Sequence, residues 1–295
     1  MPGEFDIIRE YFAGAPTRGD VTLGIGDDAA CVTAGDTALA VCVDALVEGV
    51  HFPAGTPARA IGHRAVAVNL SDLAACGATP LWLTLALAMP RADTRWLADF
   101  RAGFFELANA HGASLIGGDT VRGPLQVTVQ AIGRVHERPL RRDGGHAGDD
   151  VYVSGPVGDA AGGLRYVARD DLNHPLTARF LYPTPRVSLG TALVPWATAC
   201  IDVSDGLAVD LERLARASGG GAVLDLDALP LSDTLRATFK AEEAQYLALN
   251  GGDDYELCFA VPRQDRERFD GWCHEHGHRV YRIGRLDDGD ALVLT

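Results

Sequence analysis

Acidic residues recur along this sequence at points where an apolar stretch gives way to glycine or to a hydroxyl residue. Strand ends of this kind are where α/β folds bind their ligands. Carboxylates with few interleaved histidines or cysteines suit Mg²⁺, which usually takes its remaining ligands from water and substrate phosphates. One such aspartate alone is more often a helix cap or a turn residue, but the recurrence favours a Mg²⁺ site. The residues are Asp27 and Asp28 in GIGDDAA, Asp44 in AVCVD, Asp72 in NLSD, Asp119 in IGGDT, Asp202 and Asp205 in IDVSDG, and Asp253 and Asp254 in GGDDYE.

Other nucleotide and metal motifs explain these residues less well. A P-loop needs a lysine after glycine, and the only lysine of the chain, Lys240, lies in TFKAEE. The stretch GIGDDA fits the dinucleotide fingerprint, but that fingerprint requires a following helix, and the apolar residues behind GIGDDA predict a strand. The spacing in HEHGH indicates a solvated helix end instead of a zinc site. His51 fits a cleft residue and an ordinary half-buried histidine equally well.

Charge and cysteine content narrow the possible partners. With 40 acidic and 26 basic residues among 295, the formal net charge is −14, so we expect no nucleic-acid partner and no membrane partner. No stretch is long and uncharged enough to span a membrane, and the first residues carry acids. Six widely spaced cysteines without a C-x-x-C pair favour buried thiols over disulfides. We expect a cytoplasmic protein.

Helices and strands alternate in the first half of the chain, and they must position the acidic residues. Pro57 begins a helix that runs through NLSD and ends near Gly77. Further helices are predicted over residues 5–12 and 93–112. Strands are predicted over residues 37–49 and 81–89, and in SLIGGD and LQVTVQAIGRV.

The segment RPLRRDGGHAGDD, residues 138–150, loses apolar periodicity and gathers glycine and charge. We therefore expect a domain boundary here, with an N-terminal domain over residues 1–137 and a C-terminal domain over residues 138–295. The second half again mixes strands, such as VYVSG and YELCFAV, with helices, such as LAVDLERLARASGG. Both halves are thus predicted to be α/β.

Taken in order, the motifs resemble the thiamine-monophosphate kinase family, within the superfamily of aminoimidazole ribonucleotide synthetase. The resemblance implies an N-terminal mixed sheet that pairs with its copy in a homodimer and a C-terminal α/β sandwich. It also implies ATP bound without a Walker motif, several Mg²⁺ ions, and direct transfer of the γ-phosphoryl group to thiamine monophosphate. The resembling segments are GIGDDAA, VDALVEGVHF, NLSDLAACGATP, LIGGDTVRGPL, LRRDGGHAGDDVYVSG, GDAAGGL, DVSDGLAVDL and GGDDYELCF.

The resemblance also implies roles for individual residues, and none of them is a protein nucleophile. The substrate phosphate is itself ionised, so positioning and charge neutralisation suffice. His51 and Asp253 would contact thiamine monophosphate. ATP would contact Gly118, Asp119, Arg142 and Ser204. The metal positions would be Asp27, Cys42, Val43, Asp44, Asp72, Asp119, Asp202 and Asp205.

Three residues depart from the family pattern. Cys42 and Val43 stand where the family usually has paired Ser or Thr, and a thiol is a poor Mg²⁺ ligand. Any metal contact there must use backbone carbonyls or be lost. Strand alternation predicts that Cys42 faces the cleft together with Asp44 while Val43 points away. Asp253 is one methylene shorter than the glutamate usual in the family.

Two alternatives remain at this point. One is another ATP-using enzyme of the superfamily, such as a selenophosphate synthetase or a purine-pathway cyclo-ligase. The former usually needs a reactive cysteine near the N-terminus, and the first cysteine here is Cys31. The other alternative is a nucleotide-binding or divalent-ion-binding protein that has lost turnover, which Cys42 and Val43 suggest.

Overall fold

The computed structural model of the protein describes residues 4–13 and 17–295. Within these residues the strands form two six-stranded mixed sheets, one from each half of the chain, and helices pack against both. This architecture confirms the predicted α/β class. Residues 1–3, part of the acidic start considered above, lie outside the described residues.

The N-terminal sheet has the strand order β1-β2-β3-β6-β4-β5. Only the pair β4 and β5 is parallel among its described strand pairs. Helices α2 and α3 pack against the sheet. Helix α1 is extended by a π-helical turn over Ile8–Phe12. The elements are α1 (Glu4–Ile7), β1 (Val21–Leu23), β2 (Ala30–Ala34), β3 (Thr37–Val47), α2 (Ala58–Ala75), β4 (Thr79–Met89), α3 (Thr94–Ala110), β5 (Ser114–Arg122) and β6 (Gln126–Val135).

The C-terminal sheet has the strand order β12-β9-β11-β7-β10-β8, and β9 and β12 form its parallel pair. Strands β7, β8 and β10 are buried along their whole length, as their apolar sequences require. The elements are β7 (Asp150–Val153), α4 (Asp159–Val167), α5 (Thr177–Leu181), α6 (Val187–Leu193), β8 (Ala199–Asp202), α7 (Leu207–Ala217), β9 (Gly221–Leu224), α8 (Asp233–Thr238), α9 (Ala241–Asn250), β10 (Leu257–Val261), α10 (Arg266–His276), β11 (Tyr281–Asp287) and β12 (Leu292–Leu294).

The predicted elements are present in this fold. Strand β2 follows GIGDDA, so the helix that a dinucleotide fingerprint requires is replaced by a strand. Helix α10 ends in HEHGH, with Gly277 in the left-handed conformation at φ +71°. All six cysteines are buried free thiols. Within the described residues, no helix is both long and apolar enough to cross a membrane.

Helix α2 lies at the centre of the molecule. It packs against strands β3 and β6 on one side and against α5, α6 and β8 of the second half on the other. It is therefore buried on nearly every side, which explains its apolar composition. Its polar residues Arg64, Asn69 and Ser71 are fully buried and need hydrogen-bond partners inside the protein.

Two glycines let helices α2 and α3 approach closely. A Cβ atom at Gly62 would lie 2.2 Å from the carbonyl oxygen of Phe100, and one at Gly103 would lie 1.9 Å from that of Arg59. No side chain fits at either position without moving a backbone. This crossing fixes the height of α2, and hence of Asp72, relative to the sheet.

Alanine at position 103 tests this crossing. We expect Gly103→Ala to lower the free energy of unfolding by about 1–3 kcal/mol, because the methyl group overlaps backbone. Gly271 in α10 has open space at the same point and serves as the matched control. Gly271→Ala should raise the free energy of unfolding by about 0.4–1 kcal/mol. Urea denaturation measures both, and equal effects of the two substitutions would contradict the crossing.

Candidate functional site

A cavity of about 890 Å³ lies between the two halves of the chain. It is lined by the GIGDDAA turn before β2, by strand β3 and the loop after it, and by helix α2. The second half contributes Arg142, the loop after β8 and the GGDDYE loop before β10. These segments come from both halves of the chain, and their backbone and carboxylate groups converge on one space.

Three carboxylates from different elements meet at the wall of this cavity. Asp28 lies in the turn before β2, Asp72 on α2 and Asp202 at the end of β8, and one oxygen of each lies within 4.8 Å of the others. Burial is the main cause that raises the pKa of all three, and the charges of Asp44, Asp202 and Asp28 raise that of Asp72 further. The cluster therefore binds a proton or a cation more readily than an ordinary carboxylate.

Two groups of the protein offset part of this negative charge. Arg142 donates from Nη2 to Asp28 Oδ1 at 2.5 Å and from Nε to Oδ2 at 3.3 Å. Ser71 on α2 donates its hydroxyl to Asp202 Oδ2 at 2.6 Å. One guanidinium against three carboxylates leaves the cluster anionic when it is ionised, so the site suits a divalent cation.

Asp27 is held by backbone groups beside this cluster. Its Oδ1 accepts from the Asp28 N–H at 2.9 Å, and its Oδ2 accepts from the Arg142 N–H at 3.0 Å. Burial first, and then the charge of Asp28, raises the pKa of Asp27 to about 6. Asp27 thus joins the two halves of the chain at the cavity wall.

On strand β3, Cys42 and Val43 point to opposite faces, as strand alternation predicts. Cys42 is 6% exposed and Val43 is 59% exposed. The Cys42 thiol donates to the Asn69 carbonyl of α2 at 3.3 Å, while Asn69 Oδ1 accepts from the Asp44 N–H at 3.1 Å. Burial raises the pKa of Cys42 well above its usual value, so the sulfur stays a thiol. Cys42 shares the face of Asp44 but is hydrogen-bonded to α2.

The loop after β8 is held by the carboxylate of Asp210, which was not predicted as a site residue. Asp210, one turn into α7, accepts from the backbone N–H groups of Ser204, Asp205 and Gly206 at 3.0–3.1 Å. Arg213 pairs with Asp205 at 2.6 Å and with Asp210 at 2.8 Å. Ser204 and Asp205 are therefore fixed at the cavity wall.

At the same cavity, His51 and Asp253 are held by defined partners. His51 Nδ1 accepts from the Val47 N–H at 3.0 Å, so the neutral ring carries its proton on Nε2. Asp253 has φ +68° and accepts at Oδ1 from Arg64 Nη2 at 2.5 Å and from the Tyr255 hydroxyl at 3.1 Å. This strained backbone is stabilised by a contact that joins α2 to the second half of the chain.

Arg64 is the cation of that contact, and it is fully buried. It also donates to the carbonyl of Phe180, and its guanidinium carbon lies 4.1 Å from the centre of the Phe180 ring. Such stacking is a property of the planar guanidinium. The role of Arg64 could not be predicted from the sequence, because an arginine inside a helix usually points to solvent.

The other two acids of the GGDDYE loop, Asp254 and Glu256, bind groups away from the cavity. Glu256 is fully buried. It pairs with Arg179 at 2.8 Å and accepts from both Nε and Nη2 of Arg186. Asp254 accepts from the N–H groups of Gly158 and Ala160 at the start of α4, at 2.6 and 3.1 Å. These contacts explain why the motif carries three acids: only Asp253 lies at the cavity wall.

Gly118 and Asp119 lie outside this cavity. They are exposed on β5, the edge strand of the N-terminal sheet. Across the sheet, Gly118 of β5 pairs with Leu85 of β4, Leu85 pairs with Val129 of β6, and Val129 pairs with Asp44 of β3. Three strand spacings therefore separate it from Asp44, about 14 Å. Within one chain, these two predicted nucleotide contacts are not brought to the other site residues.

Comparison with known proteins identifies the family. Residues 26–135 match the AIR synthase related protein N-terminal domain, and residues 146–295 match its C-terminal domain. The thiamine-monophosphate kinase of Salmonella typhimurium is 45% identical over 293 residues, covering 96% of this chain and 90% of that protein. The chain belongs to the thiamine-monophosphate kinase family. The resemblance found in its motifs is thereby confirmed.

Solved structures of this family share the fold. The thiamine-monophosphate kinase from Stenotrophomonas maltophilia has a TM-score of 0.84 at 46% identity, with 94% of this chain and 92% of that chain covered. The structure described as AaThiL complexed with AMPPCP and TMP has a TM-score of 0.83 at 31% identity, with 92% and 87% covered. The two-sheet fold of this chain is thus shared with solved members of the thiamine-monophosphate kinase family.

The contact between Arg64 and Asp253 gives a prediction for this family member. Arg64→Met should lower the free energy of unfolding by about 2–3 kcal/mol, less than the ~3–5 kcal/mol of a fully buried pair, because the Asp253 side chain keeps 28% exposure. Asp253→Asn in the same background should cost less than it does alone. Urea denaturation of the four proteins in this double-mutant cycle measures the coupling.

Arg59→Met is the matched control on the same helix. Arg59 pairs with Glu106, and both side chains are at least half exposed, so the loss should stay below about 1 kcal/mol. Additive effects of Arg64→Met and Asp253→Asn would show that the buried pair does not join the two halves.

Proposed function

We propose that this protein transfers the γ-phosphoryl group of ATP to the phosphate of thiamine monophosphate and so forms thiamine diphosphate. The observation that carries the proposal is the convergence of Asp28, Asp72 and Asp202 on one cavity, in a chain that belongs to this kinase family. A relative of the same fold has been solved with AMPPCP and TMP. The cavity, at about 890 Å³, has room for two phosphate-bearing molecules of this kind.

We propose Mg²⁺ as the cation of this site. The donor set fits, because the groups that converge there are carboxylate oxygens, and burial raises the pKa of the central ones in the absence of a counter-charge. When bound, Mg²⁺ would supply positive charge that offsets the negative charge of the phosphates during transfer. The proposed ligands are Asp27, Asp28, Asp44, Asp72, Asp202 and Asp205, with Cys42 and Val43 limited to backbone carbonyl contacts.

The chain's own residues then bind and orient the two substrates. Arg142 and Ser204 are proposed contacts of the nucleotide, and both lie at the cavity wall on the side of the carboxylates. His51 and Asp253 are proposed contacts of thiamine monophosphate, oriented by Val47 and Arg64. The acceptor phosphate is already ionised at neutral pH, so no protein base is needed, and the rate depends on alignment.

We further propose that two copies of the chain pair through their N-terminal sheets. Exposed apolar side chains on this sheet support the proposal, namely Val43, Trp82, Ile116 and Val121 at 41–59% exposure, with the neighbouring Val50 at 75%. Isolated apolar residues are common on surfaces, but four on one sheet form a surface that a second copy would cover. We propose that Gly118 and Asp119, which are exposed on the edge strand β5, act at the cavity of the second copy in such a pair.

Location and domain limits belong to the same proposal. Six free thiols support a cytoplasmic protein, because thiols stay reduced in the cytoplasm.

We propose domains over residues 1–137 and 138–295, because strands β1–β6 form one sheet and strands β7–β12 form the other. The connecting segment carries Arg142, so the proposed boundary lies beside the site itself.

Asp72 gives the test of the proposed chemistry. Asp72→Asn should reduce ADP release with thiamine monophosphate by at least about 100-fold, the scale of losing one electrostatic contact to the reacting phosphate. Without Mg²⁺, the same variant should melt at a higher temperature than the wild type, because a charge that burial and its neighbours disfavour is gone. A coupled ADP-release assay and thermal melting measure the two effects.

Lys240→Ala is the control, since Lys240 precedes helix α9 and lies outside the cavity. It should leave turnover unchanged. Retained turnover in Asp72→Asn at low Mg²⁺ would contradict the metal assignment. ADP release with aminoimidazole precursors but not with thiamine monophosphate would identify a cyclo-ligase, and no ADP release from any acceptor would identify a binding protein without turnover.

A further inference from the structure

A second cavity, of about 280 Å³, lies in the C-terminal half and shares no lining residue with the first. It is formed by strands β9 and β11, the loop before β7 and the start of helix α10. Four arginines line it, namely Arg263, Arg266, Arg282 and Arg285. In a chain with a net charge of −14, such a concentration of positive charge is a local exception.

An irregularity in β11 places two of these arginines on one face. In a regular strand, residues three apart point to opposite faces. Between Arg282 and Gly284, however, the pairing of β11 with β7 shifts its register. Arg282 and Arg285 are therefore both exposed, while Ile283 and Leu286 are both buried. Bulges of this kind re-aim side chains and are frequent at functional sites.

Glycine is required at the irregularity. A Cβ atom at Gly284 would lie 2.0 Å from the carbonyl oxygen of Val223 in β9. The strand can adopt this path against β9 only without a side chain at that position. The geometry that brings Arg282 and Arg285 together is thus built into the packing of the sheet.

The two acids at the cavity are already engaged. Asp150 is buried and accepts from Arg266 through both oxygens at 2.5–2.6 Å, which fixes that guanidinium, and Arg282 lies 3.7 Å from it. Asp225 accepts from the Asp227 N–H at 3.0 Å in a tight turn. The four guanidinium groups outnumber the two carboxylate side chains together with the terminal carboxylate of Thr295, which also lines the cavity, and this leaves an excess of positive charge.

Arg263 and Arg285 carry this excess. Among the residues that the structure describes, no carboxylate lies within 4 Å of either guanidinium. Arg266 is the first residue of α10, and its guanidinium also lies at the cavity wall.

We propose that this cavity binds a small phosphate-bearing anion. Guanidinium groups match the oxygens of phosphate in pairs, and the volume suits a phosphate group with at most a small substituent. The site is separate from the kinase cavity, so the proposal stands or fails independently of the proposed function.

Phosphate binding can be measured directly with the full chain. Equilibrium dialysis with inorganic phosphate is done in EDTA at fixed ionic strength, where the carboxylate cluster of the first cavity repels anions. Wild type should bind one equivalent saturably at millimolar concentration or below. Arg263→Gln/Arg285→Gln should bind at least tenfold more weakly, and both positions are exposed, so the fold should persist.

Arg95→Gln is the matched control, since Arg95 is an exposed arginine on α3 outside the cavity. It should bind phosphate as the wild type does. Wild-type binding that is absent, or that persists unchanged in the double variant, would overturn the proposal. Competition by a small phosphate ester tells whether the occupant is the free ion or an ester: tighter binding of the ester supports an esterified ligand at this site.

Discussion

Mutual repulsion among buried carboxylates is the constraint on which the rest of this structure depends. Asp28, Asp72 and Asp202 approach within 4.8 Å at the wall of the cavity, and burial disfavours the charge of each. Folding therefore places groups together that would separate in water, and only a proton or a cation relieves them. The unfavourable free energy of this arrangement is offset by stabilising contacts elsewhere in the fold.

Helix α2 provides much of that stabilisation. Packing on all sides fixes its position, and its buried polar residues reach three parts of the site: Asn69 contacts Asp44, Ser71 contacts Asp202, and Arg64 contacts Asp253. In the second half, the Asp210 carboxylate accepts from backbone N–H groups and so holds the loop after β8. The residues proposed to align the substrates are thus joined to one another through helix α2 and the loop after β8.

Much of the fold and part of the site could be predicted from the sequence. Aspartates beside apolar stretches identified Asp44, Asp72 and Asp202, although only Asp202 ends a strand, while Asp44 lies within β3 and Asp72 lies on helix α2. The sequence could not show which of Asp27 and Asp28 joins the carboxylate cluster, because adjacent residues in a glycine-flanked turn have no periodic face. The distance of Asp119 from the cavity was also hidden, because β6 inserts between β3 and β4 and only pairing in space sets that order.

The most direct test of the central claim is the free energy of unfolding between pH 5 and 8, in EDTA and in Mg²⁺. The pKa of Asp27 is raised to about 6 and those of Asp28, Asp72 and Asp202 are raised too, so the folded state keeps protons that the unfolded chain has released. In EDTA, stability should therefore fall as pH rises, by up to about 1.4 kcal/mol per pH unit for each group. Mg²⁺ should restore it, most strongly at pH 8. A curve that is flat or rising in EDTA and indifferent to Mg²⁺ would contradict the account.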